Sequence, residues 1–569
     1  MMAQHYDLIV VGAGAAGLTA ATTAALHGHR VLLVESTGRI GGTTAISGGM
    51  IWIPANHKMQ DAGLADSDAA VHAYIEATVP GALRDARMRA FLTFGDAAIR
   101  YLESNTTLRL QPVRRYPDYY PELPGATQGG RVLEPVPFDG RALGKDFALL
   151  RDPLPEFMLF GGMMISREDI PKLRRMTKSA SAAWHVAKLL FRYAIQRLSA
   201  RRGTSLVLGN ALAARLFHAS KKAGVDVALK TEVTQLLMDQ GRVTGVRVVD
   251  KTQPETETTL SARAVIMATG GISHDAALRA LFVPAQAGNR SATANAGATA
   301  SGVRIARDAG AALSAPTHGV DDALAFWVPV STWKRPDGAT GYFPHTVTDR
   351  AKPGLIAVNA RGERFVNEAR SYHEFVRAQL RTEHVAIPAW LICDSRFLWK
   401  YGLGRIRPFA WSTRAEIADG YLKKAPTLNA LAGLMSVPAP ALQATVARYN
   451  SDAREGRDTQ FNRGGDIYQR HLGDADHVPN PCNAPIEHGP FYAVSVYPAD
   501  LGMAAGLITD EYARVMDKHK NPIAGLYACG NDMHSVMNGA YPGPGITLGP
   551  ALVFGVIAAH HAFGDTLRP

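Results

Sequence analysis

Three cysteines in 569 residues, Cys393, Cys482 and Cys529, are too few and too scattered for a disulfide framework or a CxxC pair. No CxxCH occurs, which excludes an attached c-type haem as a source of electrons. No run of about 18 uncharged apolar residues is present, so no membrane-spanning helix is expected. An apolar strand from Asp7 leaves no room for a signal peptide ahead of it. With so little cysteine, this points to a reducing cytoplasm. Internal repeats, low-complexity tracts and metal-ligand spacings are also missing, so no metal is expected. Acidic residues are missing altogether from Ile170 to Val225, where twelve basic ones fall. The net charge of +11 is therefore one local patch, and the rest of the chain is close to neutral. No nucleic-acid reader motif accompanies that charge, so no nucleic-acid partner is expected.

What is present begins with an apolar run, Asp7 to Val11, that suits a buried parallel strand. Gly12, Ala13, Gly14, Ala15, Ala16 and Gly17 follow, then a helical stretch to Gly28 and a second strand from Arg30 that ends in Glu35. Strand, glycine turn, helix, strand and acid in this order make a dinucleotide site. Gly12 makes the tight turn, Gly14 lets backbone approach the pyrophosphate, and Gly17 allows close helix–strand packing. Glu35, with Ser36 beside it, accepts from ribose hydroxyls. The unsatisfied N–H groups of the helix N-terminus receive the pyrophosphate. Just beyond lie Gly41, Gly42, Thr43, Thr44, Ala45, Ser47, Gly48 and Gly49. NAD sites need no such run, whereas a flat isoalloxazine packs on small residues and bonds to their hydroxyls. FAD is the expected cofactor.

The rest of the chain alternates. Helices are expected between about 60 and 110, and an irregular loop from Tyr116 to Gly125. Ser181 to Ala200 and Leu212 to Gly224 read as helices; Val225 to Leu229, Val233 to Met238 and Arg242 to Val249 read as strands. Ala264 to Met267 is a buried strand ending in Ala268, Thr269 and Gly270. Residues 286–486 lack nucleotide motifs. Gly530, Asn531 and Asp532, then Tyr541 to Gly545, Thr547 and Leu548, precede a closing helix from about Pro550 to Ala562. The fold class expected is α/β. A discontinuous Rossmann-like FAD domain (1–285 and 487–569) carries a basic helical insertion at about 165–205. Between its halves sits an inserted α+β catalytic domain, 286–486.

These motifs resemble FAD-dependent enzymes of the fumarate reductase and 3-ketosteroid dehydrogenase superfamily. The Ala268–Gly271 turn resembles its second FAD signature, and Pro353 to Glu368 matches its "VN..G.RF.NE" hairpin. In its dicarboxylate-handling members one arginine lies four residues after the "NE" glutamate and another precedes the last glycine pair. Here those positions are Tyr372 and Tyr541. A pocket without those cations could not hold two carboxylates. Where covalently flavinylated members carry histidine, this chain has Thr43 and Thr44, so FAD is expected to be noncovalent. Tyr541-Pro-Gly-Pro-Gly545 resembles the motif of 3-ketosteroid Δ1-dehydrogenases, and the resemblance spans nearly the whole chain. It departs at Met503-Ala-Ala505 and in the basic insertion, which bears on substrate preference more than on reaction type.

The resemblance implies 1,2-desaturation of a 3-ketosteroid. Tyr541 Oη and the Gly545 N–H would polarise the ketone. Tyr342 would take the C2 proton, Tyr119 would support it with Tyr120 as its rival for that role, and the C1 hydride would pass to flavin N5. The cofactor residues expected are Gly12, Gly14, Ala15, Ala16, Gly17, Glu35, Ser36, Gly42, Thr43, Thr44, Ser47, Gly48, Gly49, Val233, Ala268, Thr269, Gly270, Gly530, Asn531, Asp532, Thr547 and Leu548. Two alternatives stay open: a Δ4-dehydrogenase of 5α-ketosteroids or another enone desaturase or reductase, and a flavin-bearing peripheral membrane protein without turnover. With no second dinucleotide fingerprint, direct use of NADH is not expected; the electron acceptor is not visible in the sequence, and a quinone is the candidate that membrane contact would bring. In Ser181 to Ala200 the polar His185, Lys188, Arg192, Gln196 and Ser199 form one narrow stripe, with aromatic and aliphatic residues over most of the remainder. That pattern suits contact of residues 181–202 with the inner membrane face. The reading set ahead of it is a helix packed on its own protein with a solvated basic stripe.

Overall fold

β1 (Gln4–Val11) forms at once from the apolar run, with Leu8, Ile9 and Val10 fully buried. The computed structural model describes residues 4–293, 297, 299–347, 349–565, 567 and 568. After Gly12 the chain enters α1 (Ala15–Leu26) and returns as β2 (Val31–Glu35), parallel to β1. α1 is mostly Ala and Thr, and its first ten residues are all buried, because other helices cover it. The basic segment forms α2 (Ala180–Arg197), and α3 (Leu208–Lys222) then packs beside α1. Next come β3 (Asp226–Leu229), β4 (Thr231–Asp239), β5 (Arg242–Asp250) and β6 (Glu257–Met267).

β7 (Ala325–Lys334), β8 (Thr340–Pro344), β9 (Leu355–Val358), α4 (Tyr372–Leu380), β10 (Ala389–Cys393) and β11 (Lys423–Ala425) build a second unit. β12 (Phe491–Met503), β13 (Arg514–Met516), β14 (Pro522–Ala528) and α5 (Leu548–Phe563) complete the chain. The first sheet has a parallel centre in the order β3, β2, β1, β6. β6 also pairs antiparallel with β5 and parallel with β14. Its strands come from both ends of the chain, so the nucleotide unit is discontinuous. The second sheet is antiparallel in the order β8, β7, β12, β10, β9, with β11 paired on β12.

One boundary shifts from the sequence expectation. Phe491 to Met503 was placed with the returning FAD segment, yet β12 is the central strand of the second sheet. An apolar run that pairs on both edges suits either sheet, and only its partners decide. The chain therefore re-enters the nucleotide unit after Met503.

α2 is turned the opposite way from a self-packed amphipathic helix. Two members of its polar stripe face the protein: His185 pairs with Asp169, and Gln196 bonds to Ser205 and to the Thr204 N–H, while Lys188, Arg192 and Ser199 are exposed. Trp184, Phe191 and Leu198 are 64%, 70% and 87% exposed, and the buried side chains are Ala182 and Val186. Among the described residues no helix is long and apolar enough to cross a membrane.

Candidate active site

A cleft of about 1290 Å³ runs from the glycine turn after β1 to a cluster of tyrosines beside α5. Every cofactor position expected from sequence lines it except Gly17 and Asp532. A Cβ at Gly14, Gly48 or Gly270 would meet nothing within 4 Å, so these backbone surfaces are open to a flat or extended ligand. Gly12 and Gly17 are glycine for another reason. A Cβ there would strike Ala268 O at 2.3 Å and Gly12 O at 1.9 Å, so they set the close turn and the helix–strand contact. Thr44 Oγ1 accepts from the Ala15 N–H at 3.1 Å, tying the small-residue loop to the start of α1. Glu35 lines the cleft while accepting from the N–H groups of Ala13 and Thr37 at 3.0 and 2.9 Å. Both carboxylate oxygens are thus held in place before any ribose arrives. The lining of small side chains, open glycine backbone and hydroxyls fits FAD.

Asp532 corrects one expectation. It is fully buried and accepts from the Thr269 and Gly271 N–H groups at 2.6 and 2.7 Å and from Thr269 Oγ1. Its carboxylate is spent on holding the Thr269–Gly271 turn and does not reach the cleft. Asp532 shapes the cofactor bed from behind.

At the other end of the cleft three tyrosines form a hydrogen-bonded chain. Tyr119 Oη donates to Tyr372 Oη at 2.8 Å, and Tyr372 Oη donates to Tyr541 Oη at 2.9 Å. All three line the cleft and are at most 5% exposed. Their rings lock together: Tyr119 stacks on Tyr541 at 5.4 Å, and Tyr372 stands edge-on to Tyr541 at 5.3 Å. Burial pushes all three phenols above the ordinary tyrosine range, and neighbouring hydroxyls add to the rise at Tyr119 and Tyr372. The cluster is uncharged at neutral pH.

The residues that hold the cluster come from three distant segments. Tyr372 begins α4, where the helix dipole favours negative charge, and Ser371 caps that helix by accepting from the Glu374 N–H. The "NE" glutamate fixes the approach to it. Burial alone would raise the Glu368 carboxyl, but Arg364 and Arg463 bind it and hold it below the usual range. Tyr119 is anchored to the Tyr541 turn, for its N–H donates to Pro542 O at 3.0 Å. Next to it Asp118 accepts from Trp52 Nε1 at 3.0 Å and from Arg131 Nη1 at 2.8 Å. The Trp52 N–H in turn donates to Gly545 O at 3.1 Å. Gly545 also lines the cleft, at φ +100°, and a Cβ there would meet Ile51 N at 2.6 Å. Only glycine fits that turn.

Tyr342 is not part of this constellation. It lies on β8 opposite Thr332 of β7, and its neighbour Phe343 lines the cleft while Tyr342 does not. Alternation along a strand sends adjacent side chains to opposite faces, so the expected base points away. Tyr120 is excluded in the same manner, since its hydroxyl donates to Glu374 at 2.9 Å away from the lining. Tyr119 is the one that faces the cleft. Tyr372, met in the sequence only as the occupant of an arginine position, takes the central place. Its signal was that arginine position, which already marks a residue facing substrate. Among the described residues, the buried Arg350 lies behind the tyrosines, donating to the carbonyls of His345 and Glu368, and Arg167 lines the cleft over the Tyr116 ring at 5.5 Å. Among the cleft cations, Arg407 is engaged by the carbonyls of Pro155 and Met158, and Arg405 pairs with Asp419.

The family described as FAD binding domain matches residues 7–548. A 3-oxosteroid 1-dehydrogenase of Mycobacterium tuberculosis is 34% identical over 572 residues, covering 99% of each chain. A 4-oxocyclohex-2-ene-1-carboxylate 5-dehydrogenase of Sinomonas cyclohexanicum is 35% identical, covering 96% of this chain and 92% of its own. Among solved structures, a 3-ketosteroid delta1-dehydrogenase from Sterolibacterium denitrificans in complex with 1,4-androstadiene-3,17-dione superimposes with a TM-score of 0.90. It is 36% identical, with 98% and 99% of the two chains covered.

Proposed function

This chain belongs to the FAD binding domain family, and we propose that it is an FAD-dependent oxidoreductase that desaturates the C1–C2 bond of 3-ketosteroids. One observation carries the reading. The uncharged Tyr119–Tyr372–Tyr541 chain and the Gly545 turn line the same cleft as the small-residue FAD bed. Removal of hydrogen from C2 requires a ketone made acidic at its α carbon. Tyr541 Oη already accepts from Tyr372, which leaves its own hydrogen to donate to the substrate ketone beside the Gly545 N–H. As Tyr372 Oη takes the C2 proton, its own proton moves to Tyr541, and the Tyr541 proton moves to the ketone oxygen. The bonds made and broken balance, the product of this step is the neutral enol, and no free phenolate is needed. This suits a chain of phenols that burial holds above their ordinary range. Tyr119 donates to Tyr372 throughout and fixes the lone pair that faces C2. Bound FAD, held noncovalently, supplies the acceptor for the hydride from C1. The enol O–H proton then returns to Tyr541 as Tyr541 passes its own to Tyr372 and Tyr372 releases the C2 proton to solvent in the cleft, which restores the ketone and leaves all three phenols neutral.

Purified enzyme with androst-4-ene-3,17-dione and an artificial electron acceptor tests this. Turnover that falls by ~10²–10³-fold in Tyr541→Phe is expected, as for loss of an oxyanion donor. No turnover by the wild type, or an unchanged rate in Tyr541→Phe, sinks the reading.

The outward face of α2 supports a peripheral membrane contact, with Trp184, Phe191 and Leu198 in the lipid interface and Lys188 and Arg192 on anionic headgroups. Such a contact would bring a lipophilic substrate and a membrane quinone acceptor close to the cleft. Flotation with anionic liposomes should be lost when Trp184, Phe191 and Leu198 are all changed to serine. Flotation that never occurs removes the idea, and failure of the enzyme to reduce a soluble ubiquinone analogue removes the quinone.

A further inference from the structure

The start of α1 borders the cleft, and its other end lies roughly 18 Å away along the helix axis. There it meets the last turn of α5 and the helix Ala86–Asn105. His27 caps the C-terminus of α1, His560 sits in the last turn of α5, and Asp565 follows its C-cap, Gly564. One ligand atom from each of His27, His560 and Asp565 lies within 4.8 Å of the others. His27 Nδ1 is 3.1 Å from Asp565 Oδ2. That is close to the ~3.3 Å edge of a tetrahedron with metal–nitrogen bonds of ~2.0 Å. His27 Nε2 is 3.1 Å from Tyr101 Oη, the outer contact that a ligating imidazole makes with its second nitrogen.

His560 gives the independent observation. It is only 5% exposed, yet neither of its ring nitrogens has a hydrogen-bond partner among the described residues. Its ring stands edge-on to His27 at 4.7 Å and to Tyr101 at 5.1 Å, so it is directed into the group. Buried imidazoles are ordinarily paired, and an unpaired one is costly.

We propose that His27, His560 and Asp565 bind one divalent transition-metal ion of the zinc type, with a water completing a tetrahedral shell. Two imidazoles and one carboxylate suit zinc, whereas calcium and magnesium require oxygen ligands. The ion gives His560 its partner and joins the C-terminal segment to the helix whose opposite end borders the cofactor bed. His27 lies at the other end of the chain from His560 and Asp565, so only the fold brings the three together and bound metal favours the native state.

The test uses the FAD-loaded protein, stripped of metal by a chelator and titrated with zinc against a chromophoric competitor. Bound zinc is counted by atomic emission, and thermal unfolding is followed with and without it. One zinc per chain and a raised midpoint are expected. His27→Ala and Asp565→Ala alter partly exposed side chains. Each should weaken binding by ~10-fold or more, since loss of even an outer partner costs about that much. His29, which stacks on Phe563 outside the group, provides the control: His29→Ala should bind zinc as the wild type does. Absence of stoichiometric zinc overturns the proposal. So does undiminished binding in both His27→Ala and Asp565→Ala, or an equal loss in His29→Ala.

Discussion

Replacing Tyr372 with phenylalanine removes one oxygen from the middle of the hydroxyl chain and leaves the ring contacts at 5.6 Å and 5.3 Å in place. Two hydrogen bonds, of 2.8 and 2.9 Å, disappear. At roughly 1 kcal/mol net for each, the native state loses about 2 kcal/mol, which moves the thermal midpoint by a few degrees. The rate should respond far more strongly. A positioned proton acceptor is worth ~10²–10⁴-fold, or about 3–5 kcal/mol of barrier. Two assays separate the steps. Initial rates with androst-4-ene-3,17-dione and an artificial acceptor read the whole reaction, and uptake of deuterium at C2 in heavy water reads the proton step alone. Both should collapse together in Tyr372→Phe while FAD content and folding hold. Tyr342→Phe, altered on the far face of β8, should stay within ~2-fold of wild type, as an ordinary substitution outside the site does. A Tyr372→Phe enzyme that keeps C2 exchange undiminished refutes the relay, and so does Tyr342→Phe if it carries the loss instead.

Gly545→Ala would place a Cβ 2.6 Å from Ile51 N in a backbone at φ +100°, so the turn must shift and the N–H moves off the ketone. Its kcat/KM should fall by ~10²–10³-fold with a lower thermal midpoint, and near wild-type kinetics would contradict the donor role. Acid stability follows from His373 and His534, which burial holds at about 4 against 6.5 for an ordinary histidine. The unfolded chain gains these protons first. Their contribution is therefore complete above pH 6.5 and is lost as pH falls toward 4, at about 1.4 kcal/mol per pH unit for each residue. Urea unfolding at stepped pH checks this, and a flat stability across that window would contradict it.

Much of the nucleotide unit was legible because its signals are local. A glycine turn between an apolar strand and a small-residue helix admits one geometry, and a Cβ at Gly12 or Gly17 would strike backbone there while Gly14 is open to the cleft. Tyr541 and Gly545 could be picked out together because both belong to one short turn, and both line the cleft. Tyr342 and Tyr372 were not separable in this way. A strand reverses its facing with every residue, and no local pattern says which of Tyr342 and Phe343 meets a cleft assembled from other segments. The decisive pairing of Tyr372 with Tyr119 and Tyr541 joins three distant stretches, so it exists only in the fold. α2 teaches the same lesson. Its periodicity gives a polar stripe, but Asp169 and Ser205 decide that His185 and Gln196 of that stripe turn inward. Asp532 looked like a cofactor ligand because it adjoins Gly530 and Asn531, which do line the cleft. Its carboxylate was claimed by backbone N–H groups of a remote turn.

The most direct measurement is the structure of the product. Androst-4-ene-3,17-dione incubated with the FAD-loaded enzyme and an acceptor should lose two hydrogens by mass spectrometry, and NMR should place the new double bond between C1 and C2. No product, or a product unsaturated elsewhere, would contradict an enolising tyrosine chain set over this cofactor bed.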